Sequence, residues 1–188
     1  MDQAEELRNV IKKQNQRTKK PARIITVTSG KGGVGKSNIA VNLAVQFQRM
    51  GLKTIIFDAD IGLANVEVMF GTIPQYSLND LIYHDKEIED IITDGPEGVG
   101  FISGGSGIMG LSNLTLDQIS YLVKSVEKLS VIADIVIVDT GAGISDSVME
   151  FVASSPEILL VTTPEPSSLT DAYSLLKLSL IHISEPTR

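Results

Sequence analysis

Short apolar runs alternate with longer stretches of helical periodicity along this chain. The apolar runs at residues 23–28, 54–57, 99–102, 134–138 and 158–162 are continuous, which is typical of strands buried on both faces. Helical spacing of apolar residues follows at 38–50, 63–70, 77–92, 115–129 and 145–152, and again from about residue 167. The pattern predicts an α/β fold with a mainly parallel, doubly wound sheet and helices on both faces.

Polar residues cluster directly after the predicted strands. Residues 30–37 follow the first strand, Asp58 and Asp60 the second, residues 104–107 the third, Asp139 the fourth, and Pro164 with Glu165 the fifth. In parallel α/β sheets the ligand lies beyond the carboxyl ends of the strands. We therefore expect these polar residues to meet at one edge of the sheet.

The loop after the first strand carries the most specific motif. Its residues are Gly30, Lys31, Gly32, Gly33, Val34, Gly35, Lys36 and Ser37, which match G-x-x-x-x-G-K-[ST] between a strand and a helix. Glycine allows successive backbone N–H groups to turn toward phosphate oxygens at the positive end of the helix. Lys36 would contact the outer phosphates, and the Ser37 hydroxyl would bind magnesium. The loop predicts a nucleoside triphosphate site, and a glycine-rich turn with an incidental lysine is the disfavoured alternative.

Three aspartates lie where a phosphoryl-transfer site needs carboxylates. Asp139 ends an apolar strand, where it could hold the magnesium shell or cap the following turn. Asp58 and Asp60 are two residues apart at the end of an extended run, so their side chains are expected to point the same way. The less favoured alternative is that one of the two is merely solvated. A second glycine-rich stretch, 104–110, lacks a following Lys-Ser and is interpreted as a flexible connector.

Composition narrows the function further. The chain has 43% hydrophobic and 21% charged residues, which is typical of a packed domain, and no cysteine, which excludes thiolate metal sites and cysteine nucleophiles within it. The net charge is −7, although residues 1–23 carry seven basic side chains against three acids. An acidic body argues against nucleic acid as a partner. The sequence shows neither a secretory signal nor a membrane-spanning run, so a cytoplasmic location is expected.

The segment KGGVGKS resembles the deviant phosphate loop of the MinD/ParA ATPase superfamily. The resemblance runs from about residue 23 to 177, and residues 58–65 and 135–143 look like the two switch segments of that family. It implies ATP and Mg²⁺ as cofactors, with the loop through Asn38 as nucleotide contacts, and an ATP-dependent homodimer in which Lys31 reaches the partner's nucleotide. It further implies that Asp60 orients the attacking water, that Asp58 supports the metal or the switch, and that Asp139 serves the metal.

Two further implications of the resemblance concern the residues after the fifth strand and the start of the chain. Pro164 and Glu165 fit the family's region near the ribose and base, although a proline-terminated strand and helix start explains them almost as well. Residues 2–8, DQAEELR, resemble the element that precedes the ATPase domain in FlhG-type regulators of flagellar number and placement. In those proteins the element stimulates the FlhF-like, SRP-type GTPase. A solvated basic tail is the alternative for this region.

The resemblance also divides the chain. Residues 1–22 are predicted to be a partner-activating extension, 23–178 a C-terminally truncated ATPase domain, and 179–188 a foreign tail, since SLIHISEPTR resembles a translated sequencing adapter. Family members continue with further strands and a membrane-binding amphipathic helix, so we expect peripheral association with the inner face of the cell membrane in the full-length protein. A division-site or DNA-partitioning ATPase and an Mrp-like iron–sulfur carrier remain alternatives.

Overall fold

The computed structural model of the chain describes residues 20–63, 65–105 and 114–184. Its strands are β1 (Arg23–Ser29), β2 (Thr54–Ala59), β3 (Thr93–Asp94), β4 (Gly100–Ile102), β5 (Ile135–Ala142) and β6 (Glu157–Leu160). Its helices are α1 (Lys36–Arg49), α2 (Asn65–Phe70), α3 (Leu78–Tyr83), α4 (Leu116–Leu129), α5 (Asp146–Ala153) and α6 (Pro166–Ser184), with 3₁₀ turns at Ile88–Ile91 and Pro96–Gly98.

The strands form one six-stranded sheet in the order β3-β4-β2-β5-β1-β6. Pairing is parallel throughout, except between β3 and β4 at one edge. The predicted mainly parallel α/β fold is therefore confirmed. The two-residue strand β3 was not predicted, because so short a run carries no readable hydrophobic pattern.

The central strands are buried on both faces, which explains why their apolar runs are continuous. Successive residues of β2 and β5 face opposite layers: Phe57 and Val138 pack in the layer with α3 and α4, whereas Ile56 and Ile137 pack in the layer with α1. Both layers exclude water from their strands. Helices on both faces of the sheet are the arrangement that the continuous runs predict.

The predicted helix at 77–92 is wrong in its extent. A capping box between Ser77 and Asp80 starts α3 as expected, but the helix ends at Tyr83. Asp85 has φ 51°, a left-handed conformation that an α-helix cannot contain, and the chain resumes only as a 3₁₀ turn. Aspartate tolerates this conformation because its short side chain can bond locally.

Both predicted domain boundaries fall inside structured segments. Ala22 is buried, and its N–H donates to the Ser130 carbonyl at 3.0 Å, so the packed domain already includes this residue. At the other end α6 continues to Ser184, and the hydroxyl of the buried Ser179 donates to the Leu176 carbonyl at 2.8 Å. The foreign origin of residues 179–188 stays a prediction. The predicted partner element at 2–8 lies outside the described residues.

Candidate functional site

A cleft of about 970 Å³ opens at the carboxyl ends of β1, β2 and β5. Its walls include Lys36, Ser37 and Asn38 from the start of α1, Asp60 from the loop after β2, and Gly141 from the end of β5. The parallel order of the three strands brings these residues together although they lie far apart in the sequence. The expectation that polar residues meet at this edge of the sheet is confirmed for Lys36, Ser37 and Asp60.

The glycine-rich loop delivers the chain into α1 with its first amides uncapped. Gly35 is the N-cap residue at φ 92° and ψ 17°, a conformation that glycine adopts without strain, and no side chain of the described residues caps this end of the helix. The first N–H groups of a helix lack intrahelical partners and carry the positive end of the dipole. Gly32 and Gly33 line the same cleft. The loop thus presents the donors that an anion such as a phosphate requires.

Gly30 is needed for a reason that the motif alone does not reveal. A Cβ on Gly30 would lie 2.3 Å from the carbonyl carbon of Asp171 and 2.6 Å from the backbone nitrogen of Ala172, both in α6. Only glycine allows the loop and α6 to approach this closely. Gly30 thus also allows the loop to pack against Asp171 and Ala172, far along the chain, and its predicted contact with phosphate stays a prediction.

Lys36 and Asp139 form a buried ion pair beneath the loop. The Lys36 Nζ donates to Asp139 Oδ1 at 2.9 Å, and the side chains are 8% and 0% exposed. Asp139 Oδ2 is buried and has no hydrogen-bond partner in the described part of the chain. Burying a carboxylate oxygen without a partner is unfavourable, so this atom is suited to a further cationic or hydrogen-bonding group.

Asp58 and Asp60 have different partners and different exposure, although both follow β2. Asp58 is fully buried, and its two oxygens accept the backbone N–H groups of Asp60 and Val66 at 3.1 Å each. Burial, reinforced by the charge of Asp139, raises the pKa of Asp58 to about 7 despite these hydrogen bonds. Asp58 thereby ties the loop after β2 to the start of α2. Its support of a metal stays a prediction.

Asp60 extends into the cleft and is held by one side chain. Its Oδ2 accepts the Asn65 Nδ2 at 2.8 Å. Partial burial raises the pKa of Asp60, and the positive charge of Lys36 opposes that rise. A Cβ on Gly141 would lie 3.3 Å from Asp60 Oδ1, so this glycine leaves space for the carboxylate. Asn65 belongs to the segment that resembles a switch, but sequence reasoning gave it no role.

Lys31 contacts its own chain in this structure. Its Nζ donates to Glu165 Oε2 at 2.7 Å and to Ser167 Oγ at 3.0 Å, at the start of α6. Hydrogen bonding by Lys31, together with its charge, lowers the pKa of the Glu165 carboxyl. Glu165 and Pro164 are not among the residues that line the cleft. Their predicted place near the ribose and base, and the action of Lys31 on a partner's nucleotide, stay predictions.

The residues fit a magnesium ion bound together with phosphate oxygens. The described ranges contain no group of three or more His, Cys, Asp or Glu that could hold a metal by themselves. Magnesium prefers few protein oxygens, with water and substrate phosphates completing its octahedron. The Ser37 hydroxyl in the cleft and the unpartnered Asp139 Oδ2 supply oxygen donors of this kind.

A strand, a glycine-rich loop and a helix with uncapped amides, joined by a buried lysine–aspartate pair, define this chain as a P-loop NTPase. The ParA family model, described as "NUBPL iron-transfer P-loop NTPase", matches residues 20–180. The chain belongs to the ParA family. The resemblance to the MinD/ParA superfamily is thereby confirmed.

Curated relatives and solved structures agree with this placement. The chain is 44% identical over 158 residues to the antiactivator FleN of Pseudomonas aeruginosa. The aligned region covers 84% of this chain and 56% of FleN. It is 37% identical over 183 residues to the flagellum site-determining protein YlxH of Helicobacter pylori, covering 95% and 62%. The chain therefore spans little more than half the length of these relatives.

Solved structures of MinD share the fold. The cell division ATPase MinD of Pyrococcus furiosus superposes with a TM-score of 0.73 at 29% identity, covering 85% of this chain and 67% of MinD. MinD of Pyrococcus horikoshii, complexed with Mg-ADP, gives a TM-score of 0.72 at 29% identity, covering 84% and 64%. The fold of this chain is thus similar to that of these proteins over most of its length.

Proposed function

We propose that this chain binds ATP with magnesium and hydrolyses it, as the switch of a regulator of flagellar number and placement. The buried Lys36–Asp139 pair under an open phosphate loop carries the biochemical part of the proposal. The similarity to YlxH, which is named a flagellum site-determining protein, carries the cellular part, and the name of FleN, an antiactivator, is consistent with a regulatory role. ATP as the nucleotide is supported by the MinD relatives, of which one is described as an ATPase and another is complexed with Mg-ADP.

The chain's own residues divide the work of phosphoryl transfer. The uncapped amides after Gly35 bind phosphate oxygens, and Lys36 neutralises charge on the outer phosphates while it remains beside Asp139. Asp60, half-buried at the wall of the cleft, accepts a hydrogen bond from a water and orients it for attack. Ser37 and Asp139 would hold magnesium, which when bound neutralises negative charge on the phosphates.

An ATPase measurement with two matched aspartate variants tests the chemical role of Asp60. Asp60→Asn keeps the shape of the side chain but removes its negative charge, so we expect ATP binding within about threefold of wild type and hydrolysis slower by about 100-fold. Asp146→Asn changes another carboxylate that lines the cleft, and we expect it to hydrolyse ATP normally. Hydrolysis by Asp60→Asn at the wild-type rate would contradict the assignment.

The flagellar role is tested in the organism that carries the gene. A chromosomal Lys36→Met substitution removes the phosphate-binding cation, and we expect it to change the number of flagella per cell in electron micrographs. Lys53→Met, a lysine that follows α1 outside the cleft, is the matched control. Unchanged flagellar counts with Lys36→Met, in cells that contain the protein at its normal level, would contradict this part of the proposal.

We also propose that ATP drives formation of a homodimer in which Lys31 reaches the partner's nucleotide. The support is the resemblance of KGGVGKS to the deviant phosphate loop, together with the exposure of Lys31 outside the cleft. Light scattering should show a dimer with ATP and Asp60→Asn, and a monomer with ADP. A monomer under both conditions would contradict the proposal.

None of the helices in the described ranges is long and apolar enough to span a membrane. Peripheral membrane binding rests on the resemblance alone.

The element at residues 2–8 is proposed to stimulate an FlhF-like, SRP-type GTPase. Its test is a truncation, and the structure sets the site of that truncation. Because Ala22 is buried and hydrogen-bonded to the domain, residues 1–19 should be removed and Ala22 kept. We expect ATP binding to persist and stimulation of the partner GTPase to disappear. Full stimulation by the truncated chain would contradict the proposal.

The two alternative functions have separate tests. An iron–sulfur carrier is consistent with the words "iron-transfer" in the family description, but the chain contains no cysteine to supply thiolate ligands. Absence of iron binding after anaerobic reconstitution is the expected result. A DNA-partitioning ATPase should bind DNA with steep salt dependence, which the net charge of −7 opposes.

A further inference from the structure

The loop that carries Asp60 is held on one side by Asp58 and on the other by the residues that follow β4. Only the contacts with Asp58 belong to the site described above. Asp60 lies between the end of β2 at Ala59 and the start of α2 at Asn65. A group that orients an attacking water must be held within about 0.5 Å of its productive position by the residues around it. The source of that rigidity in an irregular loop therefore bears directly on hydrolysis.

The second anchor is Ser103, which follows β4. Ser103 is fully buried, and its hydroxyl donates to Glu67 Oε2 in α2 at 2.6 Å. The Ser103 hydroxyl oxygen also accepts the Gly105 N–H at 3.1 Å, and the Ser103 carbonyl accepts the Leu78 N–H at 3.0 Å. A hydroxyl that donates to a carboxylate makes one of the stronger hydrogen bonds in proteins. Helix α2 is thus fastened to the end of β4.

Gly104, the next residue, lies directly against the Asp60 loop. A Cβ at this position would lie 2.9 Å from the Asp58 carbonyl oxygen and 3.3 Å from the Asp60 carbonyl oxygen. The Gly62 N–H also contacts the Gly104 carbonyl, at 3.4 Å. The backbone of Asp60 is therefore enclosed between the Asp58 carboxylate on one side and the end of β4 on the other.

We propose that Ser103 and Glu67 are positioning residues for Asp60: their hydrogen bond fixes α2 against β4 and so holds the water-orienting carboxylate in place. The inference rests on the proposed ATPase function. Neither residue was singled out in the sequence, because Ser103 precedes a glycine-rich stretch and Glu67 is a single acidic residue in a short helix with no motif around it. Within the connector predicted at 104–110, Gly104 packs against the Asp60 loop, while residues 106–110 lie outside the described ranges.

The prediction distinguishes positioning from simple stabilisation. Ser103→Ala removes the donor, so we expect single-turnover ATP hydrolysis slower by about 10-fold, the order expected from losing one hydrogen bond to a charged group. Because the phosphate loop is untouched, the Kd for a fluorescent ATP analogue should stay within about twofold. Glu67→Gln retains an acceptor oxygen and should hydrolyse ATP within about threefold of wild type. Glu67→Ala should resemble Ser103→Ala, and the double variant should lose little more than either single variant.

Ser125→Ala is the matched control. Ser125 is also buried, and its hydroxyl donates to the Tyr121 carbonyl at 2.8 Å within α4, away from the Asp60 loop. It removes a buried hydroxyl in the same way and should leave hydrolysis unchanged. The inference is overturned if Ser103→Ala hydrolyses ATP normally, if Glu67→Gln is as slow as Ser103→Ala, or if nucleotide affinity falls in parallel with the rate.

Amide hydrogen exchange separates failure of this inference from failure of the proposed function. In the full chain, Ser103→Ala should increase exchange in a peptide that covers residues 58–67 and leave a peptide from α4 unchanged, whereas Glu67→Gln should resemble wild type. If wild-type protein does not hydrolyse ATP, the proposed function fails and the exchange measurement alone decides the inference. Unchanged exchange at 58–67 in Ser103→Ala would then overturn it.

Discussion

Lys36→Met isolates the energetic consequence of the buried ion pair. The substitution keeps an aliphatic side chain of similar length but removes the charge that balances Asp139. In the wild type the pair is closed at 2.9 Å with side chains only 8% and 0% exposed, so water cannot replace the lost cation without rearrangement. Asp139 would then hold a negative charge with neither oxygen paired, since Oδ2 already lacks a hydrogen-bond partner among the described residues.

The expected loss follows from this geometry. Removing one member of a buried ion pair destabilises a protein by about 3–5 kcal/mol, because the remaining charge is desolvated and uncompensated. A domain of this size has a total stability of about 5–15 kcal/mol, so the change is measurable by urea unfolding of the nucleotide-free protein. Arg49→Met breaks an exposed pair with Glu97 and should lose much less, because solvent screens that pair.

A double variant tests the explanation itself. Lys36→Met with Asp139→Val removes both charges, and replacing a buried pair by apolar residues is often neutral. We therefore expect the double variant to regain about 2 kcal/mol or more relative to Lys36→Met, while ATP binding stays lost in both. A loss below about 1 kcal/mol in Lys36→Met would refute the reasoning, as would a double variant less stable than the single one.

Three further predictions concern a pKa, an ion pair and a glycine. Because burial raises the pKa of Asp58 to about 7, its folded form retains a proton that the unfolded chain releases near the ordinary value of 3.8, so its contribution to the free energy of unfolding decreases as the pH rises between these values. Asp58→Asn should flatten that decrease in urea titrations at pH 5 and 8; an unchanged slope would contradict the assignment. In Lys31→Met the lowered pKa of Glu165 should return toward its ordinary value in a carboxyl NMR titration, and no change would show that the pair is absent in solution. Gly30→Ala should lower the thermal midpoint more than Gly33→Ala, since its Cβ would lie 2.3 Å from the backbone of α6, whereas a Cβ on Gly33 would meet no described atom within 4 Å and would add only the strain of a side chain at φ 77°; equal midpoints would refute this.

The hydrophobic pattern and the motif spacing were sufficient to predict the fold of this protein and the place of its phosphate loop. Continuous apolar runs predicted the parallel sheet because central strands must exclude water from both faces, and the strand–loop–helix context placed Lys36 and Ser37 at the cleft. The spacing of apolar residues also predicted the start of α3 near residue 77, where the structure has a capping box between Ser77 and Asp80. It did not reveal the break near Asp85.

Only the tertiary structure decided which polar groups act together. The pairs of Lys36 with Asp139 and Lys31 with Glu165 join residues more than 100 positions apart, and no local pattern encodes such contacts. The strand pattern gives Asp58 and Asp60 the same position after β2, and the resemblance alone separated their roles; in the structure Asp58 is buried and braces the loop, whereas Asp60 lines the cleft. Sequence alone determined which chemistry this chain could perform, because motifs are local. Packing determined which atoms lie close enough to perform it, because the order of the strands in the sheet differs from their order along the chain.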